Sequence, residues 1–508
     1  MTIDPSSPSR DLDETASENP GNNTAMVEDV RYQRLLLAVV MLAVMTFGSL
    51  MTIVTVSLDL IAEDIGSSRA TLTWMITGLM LAMAVATPIA GKLGDIKGHR
   101  RMFLLGLTGG LVTTLASALA WDDVSLITFR VLFGLTGAMM MPSGMALMMQ
   151  AYAPERRATA MGWYQFAMTG APTMGLVAGG PLISVVGWRA IFVGFAGVTL
   201  VALVFGYRVL RPTPRQRDQP LDYLGALTLG GAVLAGLTAL TRLSSRVRAS
   251  GLADAVADPL VLALVVVCLV GAFGFVHVER RSQAPMLQLA YFKRRNFTLP
   301  MLSAAFVQFA YMGGFVVTPA LLGTIYGLSL GVIALVLVPR PGVFSLASPI
   351  GGYLATRIGE KKPIVIGGVL MIASMLAFAL AAVVDIENGR GLGLGLVIAG
   401  LSLSGAASGL SQPSVAAMVA GSVDEADIGI ANGMSQQLMF IGIVSGIQTM
   451  NVLIGDSATP NQFAATFGVG LAVAVLGLLA ALGARDERRL QKPDVRSVTA
   501  GGDSTRTS

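Results

Sequence analysis

Stretches of about twenty predominantly apolar residues recur along this chain, each long enough to cross a hydrocarbon layer roughly 30 Å thick as a helix. They lie near 35–58, 71–92, 102–120, 125–152, 160–184, 189–209, 221–241 and 259–278, then 297–322, 329–355, 363–384, 391–420, 430–454 and 463–484. A span in lipid has no water to satisfy its peptide groups, so it closes its own hydrogen bonds as a helix. The pattern predicts an all-α membrane protein of about fourteen transmembrane helices. Composition agrees: only 13% of the residues are charged, against roughly 25% in soluble domains.

The connections set the orientation. One set of loops carries Lys97, Arg100 and Arg101, then Arg156 and Arg157, Arg208 to Arg217, Arg280 to Arg295, and Arg357 to Lys362. The alternate set holds Asp122, Asp123 and few cations, apart from Arg242, Arg246 and Arg248. Lys and Arg are retained on the cytoplasmic side, so both termini are expected there, in a cytoplasmic (inner) membrane. The net charge of +5 thus reports topology rather than a nucleic-acid partner. One cysteine (Cys268) and two histidines (His99, His277) exclude a disulfide framework and a histidine metal centre, and no cofactor is expected. A Gly-x-x-x-x-Gly-Lys-Ser/Thr loop is missing, so no nucleotide is expected as a partner. Residues 1–34 and 485–508 are polar and are expected to form disordered tails, and no signal peptide is read at the start.

The loop Gly91-Lys92-Leu93-Gly94-Asp95-Ile96-Lys97-Gly98-His99-Arg100-Arg101 joins the second and third spans, and Gly352 to Lys362 repeats it with Thr356 in place of the acid. Two copies of one turn imply an internal repeat. This loop resembles the signature of the major facilitator superfamily, Gly-x-Leu-Ala/Gly-Asp-x-x-Gly-Arg/His-Arg/Lys. The whole of 35–484 is similar to its fourteen-helix drug:proton antiporter family. The resemblance implies six-helix bundles at 35–210 and 297–484, a linker and two inserted helices at 211–296, and alternating access to a central substrate cavity. It implies efflux of drugs or other amphiphiles driven by protons, and hence antibiotic resistance. An exporter of an endogenous lipid, siderophore or metabolite is the alternative. A membrane-embedded enzyme would need an interfacial His or Asp constellation that the sequence lacks; a transporter-like sensor is a further alternative.

Arg130-Val131-Leu132-Phe133-Gly134 resembles the family's Arg-x-x-Gln-Gly motif, with Phe133 for the glutamine. Gly162, Gly175, Gly179 and Gly180 follow the spacing of its antiporter motif, with Ala171 and Leu176 replacing a glycine and the proline. Leu50 stands where the family has a membrane aspartate in the first helix, so Asp59 at the end of that run is paired with Arg130 as the candidate proton-coupling site. Charge at mid-depth is positive: Arg340, flanked by Pro339 and Pro341, predicts a preference for anionic or neutral substrates. Gln165, Gln308, Tyr311, Gln412, Asn432, Gln436, Gln437 and Gln448 either line a cavity or satisfy one another between helices. The methionines from Met139 to Met149 suit either a promiscuous pocket or plain packing. The acidic turn Asp424-Glu425-Ala426-Asp427 opens the thirteenth span. It predicts a latch to Lys97, Arg100 and Arg101, with Asp95 on the helix terminus.

Overall fold

The computed structural model describes residues 20–485 except 57, 73, 214–221, 283–284, 286–287, 385 and 455–458, with the side chains of 20–29, Asp59, Ala171, 174–184 and several others also outside it. The described residues form helices and no strands. The long ones are α1 (Pro20–Val56), α2 (Trp74–Lys97), α3 (His99–Ala118), α4 (Asp123–Ala151), α5 (Pro154–Val186), α6 (Trp188–Val209), α7 (Tyr223–Ser250) and α8 (Pro259–Arg281). There follow α9 (Arg295–Thr324), α10 (Gly331–Ile358), α11 (Lys361–Val383), α12 (Ile386–Gly421), α13 (Ile428–Ile454) and α14 (Pro460–Gly483). Among the described residues 13 of the helices are long and apolar enough to cross a membrane. The remaining one, α5, has 33 residues.

Local chemistry starts and stops these helices. Asp122 accepts from the Ser125 N–H at 2.8 Å while the Ser125 hydroxyl accepts from the Asp122 N–H, capping α4 reciprocally. Thr459 and Gln462 do the same for α14. The repeat is visible in the backbone: Gly98 (φ 92°) and Gly359 (φ 90°) occupy the same place in the two loop copies. Each makes a left-handed turn that a Cβ would strain.

Helices α1–α6 form one bundle and α9–α14 another. In the first, α4 packs on α2 and α3, and α1 on α5 and α6; in the second, α12 packs on α10 and α11, and α13 on α9. The bundles meet along two seams, α2 against α13 and α5 against α10, with α12 also touching α5. The inserted α7 and α8 pair with each other, and α7 lies across the first seam, touching both α2 and α13.

Two sequence expectations change. The helix of the seventh span continues past 241: α7 runs to Ser250, and in the basic turns beyond the apolar stretch Asp258 takes Arg242 at 3.2 Å and Arg246 at 2.8 Å. The tenth span is interrupted at Val338, where Pro339 supplies no N–H to continue the helical ladder. The expected linker 211–221 lies largely outside the described residues. The fourth-helix methionines Met140, Met141, Met145, Met148 and Met149 are buried in the core of the first bundle.

Candidate functional site

The loop after α2 closes one end of the inter-bundle seam. Asp95 is 5% exposed. Its carboxylate accepts the Gly429 and Ile430 N–H groups at 2.9 Å each, from the first turn of α13. Those N–H groups have no partner within the helix and carry the positive end of its dipole, so a carboxylate satisfies both needs. His99, at the start of α3 across the Gly98 turn, lies 3.0 Å from the same carboxylate. Gly91 faces the Gly429 carbonyl and Gly94 faces the His99 ring, each so closely that a Cβ would collide. The signature glycines therefore serve the approach of α2 to α13 as well as the turn.

The cation beside this contact is not one that the loop pattern suggests. Lys92, 3% exposed, lies 3.6 Å from Asp427, whose other oxygen accepts the Tyr291 hydroxyl at 2.9 Å. Arg100 instead ties its own bundle together, donating to the Leu210 carbonyl at 2.6 Å and the Tyr207 carbonyl at 3.1 Å at the end of α6. Lys97 and Arg101 are exposed, as is Asp424, whose N–H reaches the Tyr291 hydroxyl. Arg157 reaches Glu425 at 3.7 Å, with the glutamate largely exposed. Burial of Tyr291, and then its bond to Asp427, push the phenol above its ordinary range, so it stays a donor. In the sequence Lys92 reads as one more loop cation, and Tyr291 meets Asp427 only through the fold.

The second seam is built from small residues. A Cβ on Gly162 would lie 2.6 Å from the Ser348 carbonyl oxygen, and one on Gly352 would run into the Ala158 carbonyl. Gly175, Gly179 and Gly180 lie in α5, but their surroundings fall outside the described residues.

Deeper in the seam, Gln165 of α5 donates to Gln412 of α12; Gln412 donates to Gln308 at 3.3 Å, and the Ser408 hydroxyl reaches the same acceptor at 3.4 Å. Gln165 lies eleven residues past Pro154, about 16 Å along α5. The polar residues thus satisfy one another in a chain that crosses between bundles. Gln437 also crosses, donating to the Ala84 carbonyl at 3.5 Å, whereas both side-chain atoms of the buried Asn432 lack a partner.

The two buried arginines sit differently. Arg340, 2% exposed, donates to the Tyr311 carbonyl and stacks over the Tyr311 ring at 3.4 Å and Phe315 at 4.3 Å, leaving Nε without an acceptor. Arg130, 1% exposed, lies over Phe133 at 4.8 Å and Phe192 at 5.8 Å, with Nε and Nη1 unpaired. Among the described residues, Gln165 shares no hydrogen bond with either. Asp59 belongs to a short helix, Leu58–Ile65, and its side chain is outside the described residues.

The helices thus form two six-helix bundles joined at one end by a buried polar contact. The sequence model of the Major Facilitator Superfamily matches residues 38–447 and again 301–503, and the chain belongs to that family. It is 28% identical over 407 residues to the tetracenomycin C resistance and export protein of Streptomyces glaucescens, covering 80% of this chain and 73% of the relative. It is 27% identical over 431 residues to the multidrug transporter protein MdtP of Bacillus subtilis, covering 84% and 76%. Among solved structures, the proton:xylose symporter XylE superposes with a TM-score of 0.62 at 14% identity, over 89% of this chain and 95% of that one.

Proposed function

We propose that this transporter exports amphiphilic small molecules, drugs among them, in exchange for protons, carrying its substrate unchanged. The observation that carries the reading is the Asp95 carboxylate on the first turn of α13. It is a polar contact between the bundles, of a kind that breaks and re-forms as they move. Relatives that include an antibiotic exporter and a multidrug transporter support the direction. The basic end is taken as cytoplasmic, with both termini there and the protein in the cytoplasmic membrane. The state described is then closed to the cytoplasm. The functional units are the bundles 35–210 and 297–484, joined by the inserted segment 211–296, with tails at 1–34 and 485–508.

Substrate passes between the bundles along Gln165, Gln308 and Tyr311. Among the described residues the buried carboxylates Asp95, Asp258, Glu279 and Asp427 all lie at helix ends, while Arg130 and Arg340 lie within spans. That balance favours anionic or neutral amphiphiles over cations. Asp59 and Arg130 are the coupling pair of this reading. Uptake of labelled amphiphiles into everted vesicles tests it: an imposed pH gradient should drive accumulation in wild type. Asp59→Asn should abolish that response and retain substrate exchange. Accumulation that ignores the gradient would remove antiport, and strong Arg340-independent transport of lipophilic dications would remove the charge preference.

A further inference from the structure

We propose that a cleft between the basic ends of α9, α12 and α14 binds the phosphodiester headgroup of an anionic phospholipid. The cleft has a volume of about 510 Å³ and is lined by Lys293, Arg294, Arg295, Asn296, Ser422 and Arg485, with Gly421. Four of these carry positive charge and none carries negative charge. Placing the cleft at headgroup level rests on the orientation proposed above.

The walls are held from behind. The Arg294 guanidinium donates to the Ser422 carbonyl at 2.7 Å and stacks on the Tyr291 ring at 4.7 Å. The buried Asn296 side chain accepts the Arg485 N–H at 2.8 Å, tying the end of α14 to the start of α9. Among the described residues, the side chains of Lys293, Arg295 and Arg485 form no ion pair with a carboxylate. Cations gathered around one cleft repel each other, and an anion among them relieves that repulsion. A phosphate accepts from several of them at once.

A lipid fits better than free phosphate because of what lies beside the cleft. Leu476, Leu479 and Leu482 are all about half exposed and follow one face of α14 down from Arg485 into the span. Acyl chains would lie along that stripe with the headgroup among the cations, the arrangement by which basic pockets between helix ends hold acidic lipids. The cleft also adjoins the seam, since Tyr291 beneath Arg294 is the residue that donates to Asp427.

Native mass spectrometry of the full-length protein in detergent, with dioctanoyl phosphatidylglycerol, dioctanoyl phosphatidylcholine or inorganic phosphate as probes, tests this without any transport reaction. Wild type should retain phosphatidylglycerol adducts at least about tenfold more than phosphatidylcholine adducts. The triple variant K293Q/R295Q/R485Q should fall to the phosphatidylcholine level. Neutralising three other exposed cations at the same end, R156Q/R281Q/K362Q, should leave binding unchanged. Equal binding by the first triple variant and wild type would overturn the site, as would an equal loss in the second. Displacement of the lipid by millimolar inorganic phosphate would make it a soluble-anion site instead. Should the triple variant fail to fold, Arg485→Gln alone must lower adduct occupancy several-fold for the proposal to stand. Failure of drug transport would leave these outcomes untouched.

Discussion

The two copies of the glycine-rich loop share a backbone and differ in what they hold. Both end at a glycine of positive φ, and both bring a glycine, Gly91 or Gly352, against a carbonyl of the opposite bundle. In the first copy Asp95 accepts two N–H groups from α13. In the second, the Thr356 hydroxyl donates back to its own helix, to the Tyr353 carbonyl at 2.6 Å. The facing helix explains why an acid there would gain less: α5 opens with Pro154, which has no N–H, and Glu155, which already puts negative charge in its first turn. One seam is held by a buried carboxylate on a helix terminus; the other combines close steric fit with neutral hydrogen bonds such as Gln165 to Gln412. A repeat can preserve the approach of two helices while placing the charged contact on one side only.

The largest expected effect comes from removing the shared feature. Gly352→Val puts a side chain against backbone that cannot rotate away, at a cost of about 3 kcal/mol or more. Spin labels at the exposed Arg101 and Lys362 positions should then report the basic end open, with transport down about 100-fold. Gly342→Val in the same helix, where a Cβ meets nothing within 4 Å, should leave the distance unchanged.

Asp95→Asn breaks the difference itself. Losing a charge-assisted pair of hydrogen bonds costs about 2 kcal/mol, a shift of roughly 30-fold toward the open end. The same label pair should show it, and adding Thr356→Asp should not restore closure. Restoration by that second change would mean the two seams are interchangeable after all.

A smaller effect separates buried from exposed charge within the first seam. A double-mutant cycle on Lys92→Gln and Asp427→Asn should give a coupling of about 1 kcal/mol, and one on Arg157→Gln and Glu425→Gln less than about 0.5. Equal couplings would show that burial of Lys92 does not matter.

The smallest concerns a pair confined to one bundle. Asp64 is held below the usual carboxylate range, first by its bond from Arg189 and then by the Trp188 indole N–H. A lowered folded pKa contributes stability above the unfolded value near ~3.9 and loses it as pH falls through the folded value. Asp64→Asn should therefore lower the melting temperature by about 1 °C or less at pH 7, since the pair is half exposed. It should have no effect once the wild-type carboxylate is protonated. Trp188 fluorescence and melting curves would follow this, and the spin-label distance should not move.

Periodicity was enough to place the spans, because lipid forbids any solution but closed helices and each span must state its apolarity locally; the repeat and the family were carried by the two copies of the glycine-rich loop and its resemblance to a known signature. The seat of Asp95 on the first turn of α13 is the one expected from its motif and from the acidic turn that marks the start of that helix. What the tertiary structure alone decided is which cation meets that turn. Lys92, Lys97, Arg100 and Arg101 are alike as residues, yet helical phase buries Lys92 against Asp427 and turns Arg100 toward α6. It also decided the surroundings of Arg130 and Arg340. A buried guanidinium needs neighbours, and whether these are aromatic rings and a carbonyl or an open cavity depends on residues far away in the chain.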